Sequence, residues 1–218
     1  VTEDSLPLHI KDTRLTPREY LRKDGTSQYQ RIDAELFTSE RVLAAENKIL
    51  DAASRAVIPA STVDVFELAA QKRRAELAEQ GHSLPAGQEA MARAFATSDK
   101  LLVVGIGAAG AGKTSSTRLA VDAIEASGNR VIGMAPTAAA AAVMRSEMRI
   151  NADTVDKILT DWQIGKASVD VRPGDVLLVD EAGMIATPKM EKILTLAQER
   201  GALVRALGDY RQLSAVGS

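Results

Sequence analysis

Cysteine is absent from this chain of 218 residues, and aromatic residues make up only 3% of it. Without cysteine the protein has no disulfide, no thiol nucleophile and no zinc–thiolate site, which suits a reducing cytoplasm. The low aromatic content leaves little material for platforms on which bases could stack. The sequence also lacks any run of 18 apolar residues and any charged-then-apolar leader. We therefore expect a cytoplasmic protein without a membrane segment.

A strong excess of charge of one sign is lacking as well. The formal net charge is −2 and the sequence pI is about 5.8. The whole chain therefore exerts no general attraction on nucleic acid, and any contact with DNA must come from a local surface. The two histidines, His9 and His82, lie far apart without the spacing of metal ligands, so we assign them no metal.

A glycine-rich segment, LLVVGIGAAGAGKT, spans Leu101 to Thr114 and contains the spacing G-x-x-x-x-G-K-T. It follows an apolar run typical of a strand and precedes a helical pattern. Its glycines allow positive φ and close backbone approach, so that successive N–H groups can face phosphate oxygens. The Lys113 ammonium can then meet the β- and γ-phosphates, and the Thr114 hydroxyl can hold Mg²⁺. The predicted nucleotide-contacting residues of this segment are Gly107, Ala108, Ala109, Gly110, Ala111, Gly112, Lys113, Thr114 and Ser115.

Two adjacent carboxylates end the apolar run of DVLLVDEAGM, residues 175–184. The carboxyl ends of parallel strands face the ligand crevice of an α/β sheet. Asp180 can hold Mg²⁺ there, and Glu181 can polarise the water that attacks the γ-phosphate. The order Asp-Glu indicates hydrolysis rather than a simple phosphate-binding switch.

A third polar segment, GDYRQL, follows the next apolar run. Its Gln212 is predicted to touch the γ-phosphate, and Asp209 to brace the metal side. The motif is weak alone and gains weight from its position one strand after the acidic pair.

The order of patterns predicts three parts. Residues 1–36 form an arm or hairpin, residues 37–97 a small helical subdomain, and residues 98–218 an α/β domain whose parallel sheet has helices on both faces. Strands are predicted at 101–106, 130–135, 175–180 and 202–207. Helices are predicted from about 38–40 to 54, 61–62 to 80, 86–97, 113–127, 137–148, 154–162 and 187–200. The charged run QKRRAELAEQ is interpreted as a solvated helix face rather than a DNA site, and Trp162 as packing rather than stacking on a base.

Several ordered motifs resemble the first motor domain of superfamily 1 DNA helicases of the RecD-like branch. More narrowly, the chain is similar to the helicase part of MobF-type conjugative relaxase-helicases, the relatives of TraI and TrwC. The resemblance runs from about residue 37 to the end. It rests on FTSERVLAAENKIL, GAAGAGKT, VIGMAPTAAAAAVM, INADTVDKIL, LLVDEAGM and GDYRQLSAVG.

The resemblance implies a RecA-like P-loop NTPase domain over 98–218, with ATP and Mg²⁺ as cofactors. It implies that Gln88 reads the adenine. It places Pro136 and Thr137 on a face that contacts single-stranded DNA, with Thr154 near a second contact; a helix cap alone is the competing interpretation of Thr137. The implied catalytic residues are Lys113, Asp180, Glu181 and Gln212.

The implied partners are single-stranded DNA, a second RecA-like domain that supplies a catalytic arginine, and a relaxase domain of the same parent chain. Because the sequence lacks an initial methionine and stops within GDYRQLSAVGS, we expect a fragment that binds Mg·ATP, hydrolyses it slowly and unwinds nothing. Two alternatives stay open, namely a non-catalytic DNA-binding module of helicase-like fold and a stand-alone ATPase switch. A GTPase is disfavoured because no Asn-Lys-x-Asp segment follows.

Overall fold

The computed structural model describes residues 5–8, 36–107, 112–166 and 170–208, with side chains from Ser39 onward. Contacts within the chain divide it into two compact units, residues 1–44 and residues 45–218. The three-part division at residues 36 and 97 stays a prediction.

The first unit contains a short antiparallel ribbon. Strand β1, Ser5–Leu8, pairs with strand β2, Leu36–Ser39, so that Ser5 lies opposite Ser39. Helix α1, Glu40–Ser54, begins directly after β2. The Ser39 Oγ accepts a hydrogen bond from the Val42 N–H at 3.3 Å, which is the side-chain cap that a serine before a helix provides.

The second unit contains a sheet surrounded by helices. The helices that follow α1 are α2 Val63–Glu79, α3 Ala86–Thr97, α4 Lys113–Ala126, α5 Ala138–Met148, α6 Val155–Gln163 and α7 Thr187–Arg200. The strands are β3 Leu102–Ile106, β4 Val131–Ala135, β5 Asn151–Thr154, β6 Val176–Val179 and β7 Leu203–Gly208. A 3₁₀ turn, Ala182–Met184, follows β6.

The sheet is parallel throughout, and its order is β3-β7-β6-β4-β5. Strand β5 does not follow from the sequence pattern. Its four residues, NADT, carry little apolar periodicity, and only one side is paired, at the β4 edge. Strand formation there comes from pairing with β4 rather than from β-propensity.

The two faces of the sheet are covered by separate apolar cores. On β6, Val176 and Leu178 face the core that includes α3, α4 and α5, whereas Leu177 and Val179 face the core that includes α6 and α7. This alternation is the period of two that a strand imposes on its side chains. The predicted class, an α/β P-loop fold with a parallel sheet and helices on both faces, is therefore confirmed, whereas the small helical subdomain before it stays a prediction. The four predicted sheet strands differ from the observed ones by a single residue at each altered end.

Candidate nucleotide-binding site

The parallel register brings the C-terminal ends of all five strands to one edge of the sheet. Ile106 of β3 lies opposite Gly208 of β7, and Ala135 of β4 lies opposite Thr154 of β5. Strand β6 is held in the same register, since the Asp180 N–H donates to the Met134 carbonyl at 2.9 Å. The segments named by the sequence motifs therefore leave the sheet at one common edge.

The two described ends of the phosphate loop are tied to the sheet and to α4. The Gly107 N–H donates to the Gly208 carbonyl at 3.2 Å, and the Lys113 Nζ donates to the Gly107 carbonyl at 3.0 Å. The Lys113 ammonium, at the start of α4, thus contacts Gly107, the residue at which the phosphate loop begins. Residues 108–111, which include the predicted contacts Ala108, Ala109, Gly110 and Ala111, lie outside the described residues.

Helix α4 begins directly after Gly112, and among the described residues no side chain caps the N–H groups of its first turn. Gly112 is the N-cap residue, at φ 77°, and it offers no side-chain acceptor. Thr114 is exposed and Ser115 half-buried in this first turn. A helix N-terminus without a side-chain cap combines free N–H donors with the positive end of the dipole, which is the arrangement that binds phosphate.

Gln88 reaches this loop from a different helix. It lies in the first turn of α3, and its carboxamide sits so close to Gly112 that a Cβ at position 112 would overlap it. Gly112 is thus required twice, for its positive φ and for this contact. Whether the Gln88 carboxamide reads a base stays a prediction, but its position beside the phosphate loop is compatible with that role.

The acidic pair follows β6 with unusual backbone geometry. The Asp180 Oδ1 accepts a hydrogen bond from the Glu181 N–H at 2.8 Å. Glu181 adopts a left-handed conformation, with φ 49°, which costs about 1 kcal/mol for a residue with a Cβ. Both side chains are half-buried, and among the described residues neither forms an ion pair. Two carboxylates with oxygens to spare at a strand end suit a hydrated Mg²⁺ ion.

Strand β7 separates the phosphate-loop strand from the acidic strand and ends at Gly208. The predicted γ-phosphate contact Gln212, and Asp209 with it, lie outside the described residues. Their roles stay predictions.

The two threonines predicted to face DNA both cap helices at the same edge. The Thr137 Oγ1 accepts from the Ala140 N–H at 3.1 Å, and the Thr154 Oγ1 accepts from the Lys157 N–H at 3.2 Å. Pro136, which precedes Thr137, is half-buried, whereas Thr137 is exposed. Capping, the competing interpretation given for Thr137, is therefore observed at both threonines, while their contact with DNA stays a prediction. It does not exclude a contact with phosphate, because a hydroxyl that accepts one hydrogen bond still has a hydrogen to donate.

Two basic side chains, Lys157 and Arg145, and the aromatic Trp162 are engaged within the chain. Lys157 pairs with Asp161 at 2.9 Å and Asp153 at 3.4 Å, and hydrogen bonding to these carboxylates, Asp161 first, raises the pKa of the lysine. Arg145 donates to the Ala152 carbonyl at 2.6 Å. Trp162 packs against the core on the α6 and α7 face, as expected.

The charged run of α2 forms ion pairs at the surface rather than a basic patch. Arg73 pairs with Glu76 at 3.3 Å, and Arg74 reaches Glu89 of α3 at 2.8 Å.

The residues within described segments include no cluster of three or more carboxylates and imidazoles able to hold a metal. Over that same part of the chain, no helix has the length and apolar character to cross a bilayer.

Comparison with known proteins points to one class. A family model described as an AAA domain matches residues 83–218, well over half of the chain. The probable conjugal transfer protein TraA of Sinorhizobium fredii is 34% identical over 111 residues, which are 51% of this chain and 10% of that protein. The multifunctional conjugation protein TraI of Escherichia coli K12 is 34% identical over 140 residues, 61% of this chain and 8% of that protein. The chain thus spans about a tenth of the length of these relatives. The resemblance to conjugative proteins stated above is confirmed.

Proposed function

This chain belongs to the family of AAA domains, and we propose that it is the ATP-binding half of a DNA helicase motor within a conjugative relaxase. The proposal depends above all on the register of the parallel sheet. That register brings the phosphate loop, the acidic pair and the two capping threonines to one edge. The similarity to conjugal transfer proteins supports the assignment to DNA transfer.

The phosphates of ATP would lie on the N-terminus of α4, within reach of the Lys113 ammonium. Lys113 already points across the loop to the Gly107 carbonyl. It would exchange this neutral acceptor for anionic phosphate oxygens, which attract the ammonium more strongly than a carbonyl oxygen does. Gln88, beside Gly112, would hold the base on the α3 side of the loop.

Thr114 and Asp180 would hold the Mg²⁺ ion, and the ion would neutralise charge on the transferred phosphoryl group. Glu181 would orient and polarise the attacking water. Its backbone is held in the left-handed conformation beside Asp180, whose Oδ1 accepts from the Glu181 N–H. Gln212 would contact the γ-phosphate.

Single-stranded DNA would contact Pro136, Thr137 and Thr154 at the same edge. The exposed start of α5 offers N–H groups and a hydroxyl to a backbone phosphate. Turnover and movement would require a second RecA-like domain, and a relaxase domain would belong to the same parent chain.

The decisive experiment is a calorimetric titration of the chain with Mg·ATP, compared with Lys113→Ala. We expect the substitution to weaken binding about 100-fold or more, since it removes charge-assisted contacts to phosphate. Lys72→Ala is the matched control, because Lys72 is an exposed lysine on α2, and it should bind as the parent does. Equal affinity of the parent and Lys113→Ala would contradict the assignment.

The Mg·ATP titration, together with a binding measurement on a fluorescein-labelled oligo(dT), separates the two alternative functions. A non-catalytic DNA-binding module would retain a fluorescein-labelled oligo(dT) but bind no Mg·ATP. A stand-alone ATPase switch would bind Mg·ATP while its affinity for the oligonucleotide stayed negligible with and without nucleotide.

A further inference from the structure

Arg205 is a buried arginine in the middle of β7, opposite Val103 of β3. Its exposed fraction is 0%, and none of the described carboxylates pairs with it. Burial lowers its pKa to about 10, so the guanidinium is still charged at neutral pH. A cation in this position calls for an explanation, because an apolar side chain of similar volume would fill the core without a desolvation cost.

The guanidinium donates to backbone carbonyls that surround it. Its Nε donates to Phe95 O at 2.7 Å and its Nη2 to Ser98 O at 3.2 Å. Its Nη1 donates to Lys100 O at 3.0 Å and Val204 O at 2.9 Å. Except for Val204, these acceptors belong to the last turn of α3 and the connection into β3. Arg205 therefore fastens the C-terminal end of α3 to strand β7, and the negative end of the helix dipole favours a cation there.

Two further contacts fix the same helix. A Cβ at Gly105 would stand 2.9 Å from both Met91 Sδ and Phe95 Cζ, so α3 packs directly on the β3 backbone at this glycine. At the other end of the helix, Gln88 lies against Gly112. Gln88, Met91 and Phe95 follow the i, i+3, i+7 spacing of one helix face.

We propose that Arg205 is a positioning residue for base recognition. It holds α3 at the position along its axis, and at the rotation about that axis, that bring Gln88 to Gly112. The inference rests on the proposed function, in which Gln88 reads the adenine. A helix displaced by one residue moves by 1.5 Å. The Gln88 carboxamide lies against Gly112, and a displacement of that size would change this contact. A planar fork that fixes several carbonyls at once therefore sets the position from which Gln88 reaches Gly112.

Nucleotide selectivity in a double-mutant cycle tests the proposal. Arg205→Lys keeps the charge but cannot reproduce the fork. We expect this variant to bind Mg·ATP about tenfold more weakly, as expected when a hydrogen bond to the base is lost, and to bind Mg·GTP as the parent does. In a Gln88→Ala background the same substitution should leave the ratio of ATP to GTP affinity unchanged.

A merely structural role gives a different pattern. If Arg205→Lys weakens both nucleotides equally, or changes the ratio as much in the Gln88→Ala background, the positioning role is wrong. Gly105→Ala provides a second route should Arg205→Lys fail to fold, since its added methyl group would press α3 away from β3 while Arg205 stays intact. Gly105→Ala should lower the ratio of ATP to GTP affinity, and an unchanged ratio would overturn the proposal. A parent chain that binds neither nucleotide would instead refute the proposed function itself.

Discussion

The two ends of strand β6 each carry an aspartate, and their surroundings are opposite. Asp175, before the strand, is 3% exposed and accepts from the Arg130 Nε at 3.1 Å and from the Arg172 N–H at 2.8 Å. Asp180, after the strand, is half-buried and accepts from the Glu181 N–H. A carboxylate saturated by its own chain holds the fold together, whereas one with oxygens to spare is available to a ligand.

The difference follows from the direction of the strands. At the amino ends of β4 and β6, Arg130 and Asp175 stand side by side and close that edge with an ion pair. Hydrogen bonding to Asp175, the largest of several causes, raises the pKa of Arg130 above its ordinary value. The carboxyl ends of parallel strands border the ligand crevice, and Asp180 follows β6 at that end.

The largest effect on stability is expected for Asp175→Ala. The substitution leaves the Arg130 Nε and the Arg172 N–H without their acceptor, while the Arg130 Nη2 keeps the Asp170 carbonyl. We expect it to cost about 2 kcal/mol of unfolding free energy. Urea denaturation measures it. Asp170→Ala is the control, since the Asp170 carboxylate also pairs with an arginine, Arg172, but lies at the surface. A loss of unfolding free energy below about 1 kcal/mol for Asp175→Ala would show that the Arg130–Asp175 pair stabilises the fold no more than an exposed ion pair does.

Asp180→Asn should show the reverse profile. We expect its unfolding free energy to stay within about 0.5 kcal/mol of the parent, because the amide oxygen can still accept from the Glu181 N–H. Its affinity for ATP in the presence of Mg²⁺ should fall about tenfold or more, through loss of a charged metal ligand. Calorimetry with and without Mg²⁺ separates the loss of affinity that depends on the metal from any loss that does not. An affinity equally reduced in EDTA would place the defect outside the metal site.

Glu181→Asn tests the strained turn beyond the strand. Asn adopts the left-handed conformation more readily than Glu, so relief of strain should stabilise the chain by up to about 1 kcal/mol, or raise Tm by about 2 to 4 °C. Glu181→Gln is the control, since it removes the charge but keeps the strain, and its Tm should match the parent's. Stabilisation of both variants alike would mean that carboxylate repulsion, not backbone geometry, destabilises the turn.

The sequence predicts this site better than it predicts what supports it. Lys113 and Asp180 are recognisable because each belongs to a short motif that follows a strand, and parallel register then brings the strand ends together. The contact of Gln88 with Gly112 and the fork of Arg205 join segments distant in sequence, so no local pattern reveals them. Strand β5 was missed for a related reason, because its pairing with β4, not its composition, makes it a strand.

The smallest effect is expected where one residue is proposed to serve both the fold and a ligand. Thr137 caps α5, and Asp and Asn cap helices about as well as Thr does. Thr137→Asn and Thr137→Asp should therefore both keep the stability of the parent. If a DNA phosphate lies at this helix start, the added negative charge of Asp should weaken the binding of labelled oligo(dT) about threefold to tenfold at low salt, whereas Asn should change it less. The difference should shrink as salt is raised, because the charges are exposed and therefore screened. Identical oligonucleotide affinities for the two variants at low salt would mean that Thr137 is a helix cap and does not contact the oligonucleotide.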